Sequence, residues 1–314
     1  MMSRFNRKTP VYDNSGLSTL VSNQGNRFLN RDGTFNVHKT GVPFLERISF
    51  FNSLITMSWP AFFVLIFGGY FLVNLVFAIF YYFAGAEDFL GVANSTDGGR
   101  FLDIFFFSAQ TLTTVGYGRV NPTGLLTNIV ASIEALSGLL SFALATGLMY
   151  GRFSRPVANI RFSDQALIAP YRGGKAVMFR LANTKNNQLI DASIQVLLGM
   201  IVKDSEKEAR QVYRLELERS EINFFAANWT VVHPLDEKSP LFGMSQSDFE
   251  KMDVEFMISL RAYDDTFGQS IHARHSFKYF EMVWDARFKP MFTRSTDGRT
   301  TILKLNAISD YENV

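Results

Sequence analysis

The chain has 314 residues, room for about two domains at ~100–200 residues each. It is 47% hydrophobic, carries a net charge of +2 and has no cysteine. The small net charge gives no reason to invoke nucleic acid, and the missing thiols exclude a disulfide framework, a thiolate metal site and thiol catalysis. Residues 1–43 are polar and rich in Gly, Asn and Arg without sustained periodicity, and read as an extended cytoplasmic arm. Phe44, Ile48, Phe51 and Ile55 then recur at helical spacing, with Glu46, Arg47, Ser49 and Asn52 on other faces. That pattern predicts a short helix over 44–58 lying in a membrane interface. From Trp59 to Phe83 the only clearly polar residue is Asn74, and at ~1.5 Å per residue this run spans a ~30 Å hydrocarbon core with some tilt. A secretory signal fits it poorly, since it starts far into the chain and lacks a small-residue cleavage site. A second apolar run, 125–151, carries one acid, Glu134. Between them, Phe101 to Thr113 is short, apolar and free of Gly and Pro, as a half-membrane pore helix should be.

Thr114-Val115-Gly116-Tyr117-Gly118 follows at once. This pentapeptide is the one with which potassium channels replace the hydration shell of K⁺ by backbone carbonyls and a threonine hydroxyl, so the match is to a known motif. Consecutive carbonyls aimed at one axis need unusual dihedrals, which Gly116 and Gly118 adopt without a Cβ clash. The expectation is K⁺ held at Thr114, Val115, Gly116 and Tyr117, with Val115 and Tyr117 side chains packing the filter from behind. One loop supplies one column of carbonyls, so a closed ring demands a C4 homotetramer. Lys39 and Arg47 precede the first span and Arg152, Arg155 and Arg161 follow the second, whereas Glu87, Asp88, Asp97, Arg100 and Asp103 lie between. Both termini are therefore expected in the cytoplasm of a multi-pass membrane protein. The only ionisable residue inside either predicted span is Glu134, a candidate functional acid whose plainer reading is a carboxyl hydrogen-bonded behind the pore helix.

After a linker over 152–160 the pattern turns to period two. Short alternating runs at 176–181, 193–202, 229–232, 256–260 and 271–279, separated by turn residues such as Gly173-Gly174 and Asp297-Gly298, predict an all-β sandwich over 161–314. The sequons at Asn94 and Asn228 read as unused. His272 and His275 resemble a metal pair, but a packed or hydrogen-bonded role fits them better.

Several stretches together carry a family resemblance: the filter, Ser58-Trp59-Pro60, Gly151-Arg152-Phe153-Ser154-Arg155-Pro156, Arg180-Leu181-Ala182-Asn183, the run from His233-Pro234 to Ser239-Pro240-Leu241, and His272-Ala273-Arg274-His275. From residue 44 to about 299 the chain resembles the prokaryotic inward-rectifier potassium channels, the KirBac group. The resemblance implies a two-span α-helical pore domain with a re-entrant loop (59–151), an immunoglobulin-like β-sandwich and a four-fold tetramer in a bacterial inner membrane. It places a hinge glycine at Gly138, the residue controlling cation block at Phe142 and the bundle-crossing constriction at Tyr150. It also puts Gln110 where relatives carry a glutamate paired to a base after the filter, here Arg119, so a charge-assisted bond is expected to give way to a weaker one. Asp191 matches a vestibule acid, and Tyr263 to Gly268 matches a loop that narrows the cytoplasmic pore. Lys39, Arg47, Arg152 and Arg155 fall where anionic phospholipid is bound. Mg²⁺ and polyamines are the expected blockers, weak ones given the apolar Phe142, and the label voltage-gated channel is expected as well.

Competing classes fare worse. A potassium transporter would need four filter loops in one chain. A nucleotide-gated channel would show a βαβ glycine fingerprint, and an anchored enzyme would show a nucleophile and base. No enzymatic activity is expected, and no cofactor beyond permeant K⁺. The alternative kept open is a potassium channel with another cytoplasmic ligand-sensing mode.

Overall fold

The computed structural model describes residues 9–12, 16, 27–38, 40–41, 43, 49–85, 87–93, 96–155, 158–204 and 207–314. They fall into two compact units, one over Thr40–Arg155 and one combining the N-terminal arm with Pro156–Val314.

In the first unit, α1 (Phe50–Thr56) is capped by Ser49, whose hydroxyl accepts from the Asn52 N–H at 3.4 Å. It covers the second half of the predicted interfacial helix, and 44–48 lie outside the described residues. Next comes α2 (Trp59–Gly85), two residues longer than expected, with Pro60 in its first turn, where a missing N–H leaves no bond unmade. Then follow β1 (Phe89–Leu90), α3 (Asp97–Leu112), β2 (Asn121–Pro122) and α4 (Leu125–Phe153). The pore helix α3 begins four residues before the predicted Phe101. Thr96 explains this: its side chain accepts from the Gly99 N–H at 3.3 Å and Asp97 favours the positive helix end, so Gly98 and Gly99 are tolerated in the first turn. Both long helices are long and apolar enough to cross a membrane. They leave Val64, Phe67, Phe83, Leu125 and Leu144 exposed, and helices apolar on every side are at home in lipid. Packing within the unit centres on Tyr81, Phe89, Ile104, Phe107 and Val120.

The second unit is a sandwich of two five-stranded sheets. One runs β11 (Gln269–Lys278), β10 (Glu255–Asp264), β6 (Leu189–Asp204), β7 (Lys207–Arg214), with β8 (Glu221–Phe224) also on β6. The other runs β12 (Met282–Trp284), β4 (Ala166–Tyr171), β5 (Gly174–Asn183), β3 (Ile160–Phe162), with β9 (Asn228–Pro234) on β5. Ile194, Val196, Leu198, Phe256, Ile258 and Leu260 from one sheet pack on Ile168, Val177, Phe179, Leu181 and Val231 from the other. The strands outrun the predicted stretches because β6, β10 and β11 carry polar outer faces that hide their ends from a hydrophobic pattern.

Part of the arm is ordered against this sandwich. Phe28 and Leu29 donate their N–H groups to the buried Glu255 carboxylate at 2.9 to 3.0 Å, and Arg27 and Arg31 both pair with Glu281. Arg210 bridges Glu255 and Asp253, and Lys278 closes the set on Asp253. His275, stacked on Phe162 at 4.7 Å, gives its Nδ1–H to the Arg31 carbonyl at 2.7 Å. His272 and His275 are three apart on one strand and so face opposite sides, which rules out a shared ion.

Burial pushes both His233 and His275 below the usual value of 6.5, more than their backbone hydrogen bonds raise them. The folded domain therefore resists a proton that the unfolded chain accepts, so stability is full above about pH 6.5 and declines as pH falls below it. Between pH 7.5 and pH 6 the thermal midpoint of the purified wild type should fall relative to that of His233→Gln or His275→Gln. A wild-type midpoint that tracks both variants across that interval would refute this.

Candidate functional site

Thr113 caps α3 through its N–H to the Ala109 carbonyl at 3.2 Å, and the chain then turns sharply. Thr114, Gly116 and Gly118 have φ of 61, 54 and 78°, alternating with Val115 and Tyr117. A left-handed threonine is uncommon, and the alternation is how successive carbonyls come to face one side. The Gln110 carbonyl accepts from both the Val115 N–H at 2.9 Å and the Gly116 N–H at 3.3 Å. Gln110 thus holds the loop that follows α3 through its backbone carbonyl. Beyond it, the Asn121 amide donates to the Gly118 carbonyl at 2.7 Å. Val115 and Tyr117 remain exposed within the single chain, so the packing expected behind the filter does not come from this copy.

Arg119 departs from the expected weaker contact. It forms an ion pair with Asp103 on α3, a residue that sequence reasoning used only as a topology charge. The signal was there: Asp103 and Gln110 are seven apart, two turns along one helix face.

Glu134 is fully buried where three helices meet. Tyr81 on α2 donates to its carboxyl at 2.7 Å and Ser108 on α3 is hydrogen-bonded to its other oxygen, while the Ser108 hydroxyl also lies 3.2 Å from Asn74 Oδ1. The acid ties the inner and outer helices to the pore helix and is not open to a pathway within the chain.

Gly138, which the resemblance matches to a hinge glycine, is buried. A Cβ there would lie 1.9 Å from the Leu112 carbonyl oxygen, so glycine is what lets α4 cross the end of the pore helix. Phe142 and Tyr150 project from the same helix and are 74% and 73% exposed. Gly138, Phe142 and Tyr150 follow a drifting line on α4 that turns by about a third of a turn over these twelve residues.

Arg152 is also placed differently from expectation. It is 9% exposed, donates to the carbonyls of Leu54 at 2.6 Å and Met57 at 2.7 Å, and lies over the rings of Trp59 and Phe62 at 4.5 Å each. It satisfies carbonyls at the end of α1 and clamps that helix to α4. Arg155 is exposed, while Lys39 and Arg47 lie outside the described residues.

In the sandwich, Asp191 is exposed with φ 49°, at the bulge where β6 shifts register against Arg261 and Tyr263 of β10. Aspartate tolerates that conformation, and the bulge re-aims it. Asp191 and Tyr263 line one polar cavity with Glu221 and Arg261. The β10–β11 turn is fixed by Asp264, whose carboxylate accepts from the N–H groups of Thr266 at 3.0 Å and Phe267 at 3.3 Å, and Gly268 closes it at φ 64°.

Two family models match: the inward rectifier potassium channel C-terminal domain over residues 160–311 and an ion channel model over 69–155. The chain is 36% identical over 281 residues to the inward rectifier potassium channel Kirbac3.1 of Paramagnetospirillum magnetotacticum, covering 88% of this chain and 92% of that one. It is 26% identical to the mouse G protein-activated inward rectifier potassium channel 4 over 90% of this chain and 72% of the relative. It is 27% identical to the mouse G protein-activated inward rectifier potassium channel 2, over 85% and 68%. The label voltage-gated is overturned by these matches, which are inward rectifiers. Within α2 and α4 the one Lys or Arg is Arg152, at the end of α4. The chain belongs to the inward rectifier potassium channel family.

Proposed function

We propose that four copies of this chain form a K⁺-selective pore in a bacterial inner membrane, with both termini in the cytoplasm. The observation that carries this reading is the left-handed, alternating backbone of Thr114, Gly116 and Gly118 at the C-terminal, negative end of α3, a geometry suited to carbonyls that coordinate a cation. The relatives' names carry potassium, and the exposed Val115 and Tyr117 give neighbouring copies a surface to cover. A groove of about 590 Å³ between α2, the end of α3 and α4, bordered by Gly69, Leu112, Thr114 and Phe142, offers a further packing face.

Within that assembly the four Tyr150 rings form the closed gate, an apolar constriction that dewets. Four Phe142 rings give a multivalent cation no charge to compensate lost hydration, so block by Mg²⁺ or polyamine is weak, with Asp191 gathering the blocker from outside the membrane field. Anionic phospholipid acts through the basic residues of the inner leaflet, chiefly Arg155 among those described, at ~1 kcal/mol per base.

One flux series tests the scheme. In liposomes the wild type should pass K⁺ and Rb⁺ and nearly exclude Na⁺. Tyr150→Ala should raise basal flux, and Phe142→Asp should convert shallow spermine block to steep block. Unchanged flux in Tyr150→Ala would move the gate to the Tyr263–Gly268 loop, and unaltered block in Phe142→Asp would remove Phe142 from the pathway.

A further inference from the structure

The filter is an exposed bridge between two buried anchors, Leu112 at 7% exposure and Val120 at 6%. Its inner half is held by neutral backbone bonds to Gln110. The outer half ends at Arg119, and three features converge there. The backbone of Arg119 passes so close to Gly91 that a Cβ on that glycine would lie 1.7 Å from the Arg119 carbonyl oxygen, and Gly91 itself has φ 85°. The next residues pair with the loop before the pore helix, Leu90 opposite Asn121 and Phe89 opposite Pro122. The Arg119 guanidinium meets Asp103, whose other carboxylate oxygen accepts from the Ala93 N–H at 3.2 Å.

We infer that Asp103 is a positioning residue for ion selection: through Arg119 it fixes the outer mouth of the filter, joining the outer loop, the pore helix and the first residue after Gly118. The inference rests on the potassium-conducting reading. An ordinary surface ion pair would have little effect, but this one is lopsided, with Asp103 at 7% and Arg119 at 57% exposure. Removing the arginine charge takes an ion-pair partner from a buried carboxylate, which is more disruptive than loss of an exposed pair. The clasp sits two helical turns outward from Gln110, so it acts on the Tyr117–Gly118 end, while the Thr114 end depends on the backbone bonds. A loosening of about an ångström at a site that discriminates by geometry is enough to degrade it.

The experiment is a double-mutant cycle on the full-length channel in planar bilayers, reading the K⁺/Na⁺ permeability ratio beside the thermal midpoint. Asp103→Asn and Arg119→Gln should each lower the ratio roughly tenfold, and the double variant should fall no further, because the two side chains act as one unit. Arg119→Lys should retain most of the ratio. If Asp103→Asn does not assemble, Arg119→Gln carries the test, since its side chain lies largely at the surface. Wild-type ratios in assembled single variants, or single effects that multiply in the double, would overturn the clasp. A non-selective wild type would instead sink the potassium reading itself.

Discussion

Gly138→Ala is expected to abolish K⁺ flux. A methyl group at this position meets the Leu112 carbonyl oxygen at 1.9 Å and its carbon at 2.7 Å, and both are backbone atoms that no rotamer change can move aside. Overpacking of this kind destabilises by about 1–3 kcal/mol. The functional loss is larger than that figure suggests, because Leu112 is the last residue of α3 and Thr114 follows two residues later. Relief of the clash must separate α4 from the pore helix or push the filter out of register. Gly68→Ala is the matched control: Gly68 is exposed on α2 with nothing within 4 Å, and there alanine should leave flux intact. The check is Rb⁺ uptake by both variants, reconstituted at equal oligomer yield. Wild-type uptake in Gly138→Ala would show that the helices separate without disturbing the filter.

Arg152→Gln should release α1 from the end of α4. The guanidinium makes two charge-assisted bonds to carbonyls that otherwise have no helical donor, and it lies 4.5 Å from the ring centres of both Trp59 and Phe62. Loss of such a group removes roughly 2 kcal/mol or more of local stability. Amide exchange over Phe50–Thr56 should accelerate by at least about tenfold, the exchange equivalent of 1.4 kcal/mol. Arg152→Lys should not restore protection, since a point charge cannot fork onto two carbonyls. Arg155→Gln should leave exchange unchanged and shrink the response to phosphoinositide. Unaltered exchange in Arg152→Gln, or full rescue by lysine, would return Arg152 to the role of a charge facing lipid.

The parts legible from sequence are those written in local pattern. The two spans, the filter and the period-two half all follow from runs of residues that a single element dictates. The early start of α3 was obscured because Gly98-Gly99 look like a break, and only the Thr96 cap makes them helical. For Gly138 and Arg152 the sequence suggested a hinge and a phospholipid contact, while the structure shows a close helix crossing at the glycine and a clamp on α1 at the arginine. A glycine chosen for close approach and one chosen for bending look alike until the facing carbonyl is seen. A cation at a membrane boundary likewise reads as a lipid ligand until its acceptors are known. The docking of Phe28 and Leu29 on Glu255, 227 and 226 residues away, and the Asp103–Arg119 pair depend on tertiary contacts that no window of sequence contains.

The account stands or falls on selectivity by the Thr114–Gly118 loop. The most direct measurement is the reversal potential of the reconstituted channel under bi-ionic conditions, with equal K⁺ on one side and Na⁺ on the other. A carbonyl-lined ring predicts a reversal displaced far toward the potassium equilibrium potential. A reversal near zero in an assembled, conducting channel would contradict it.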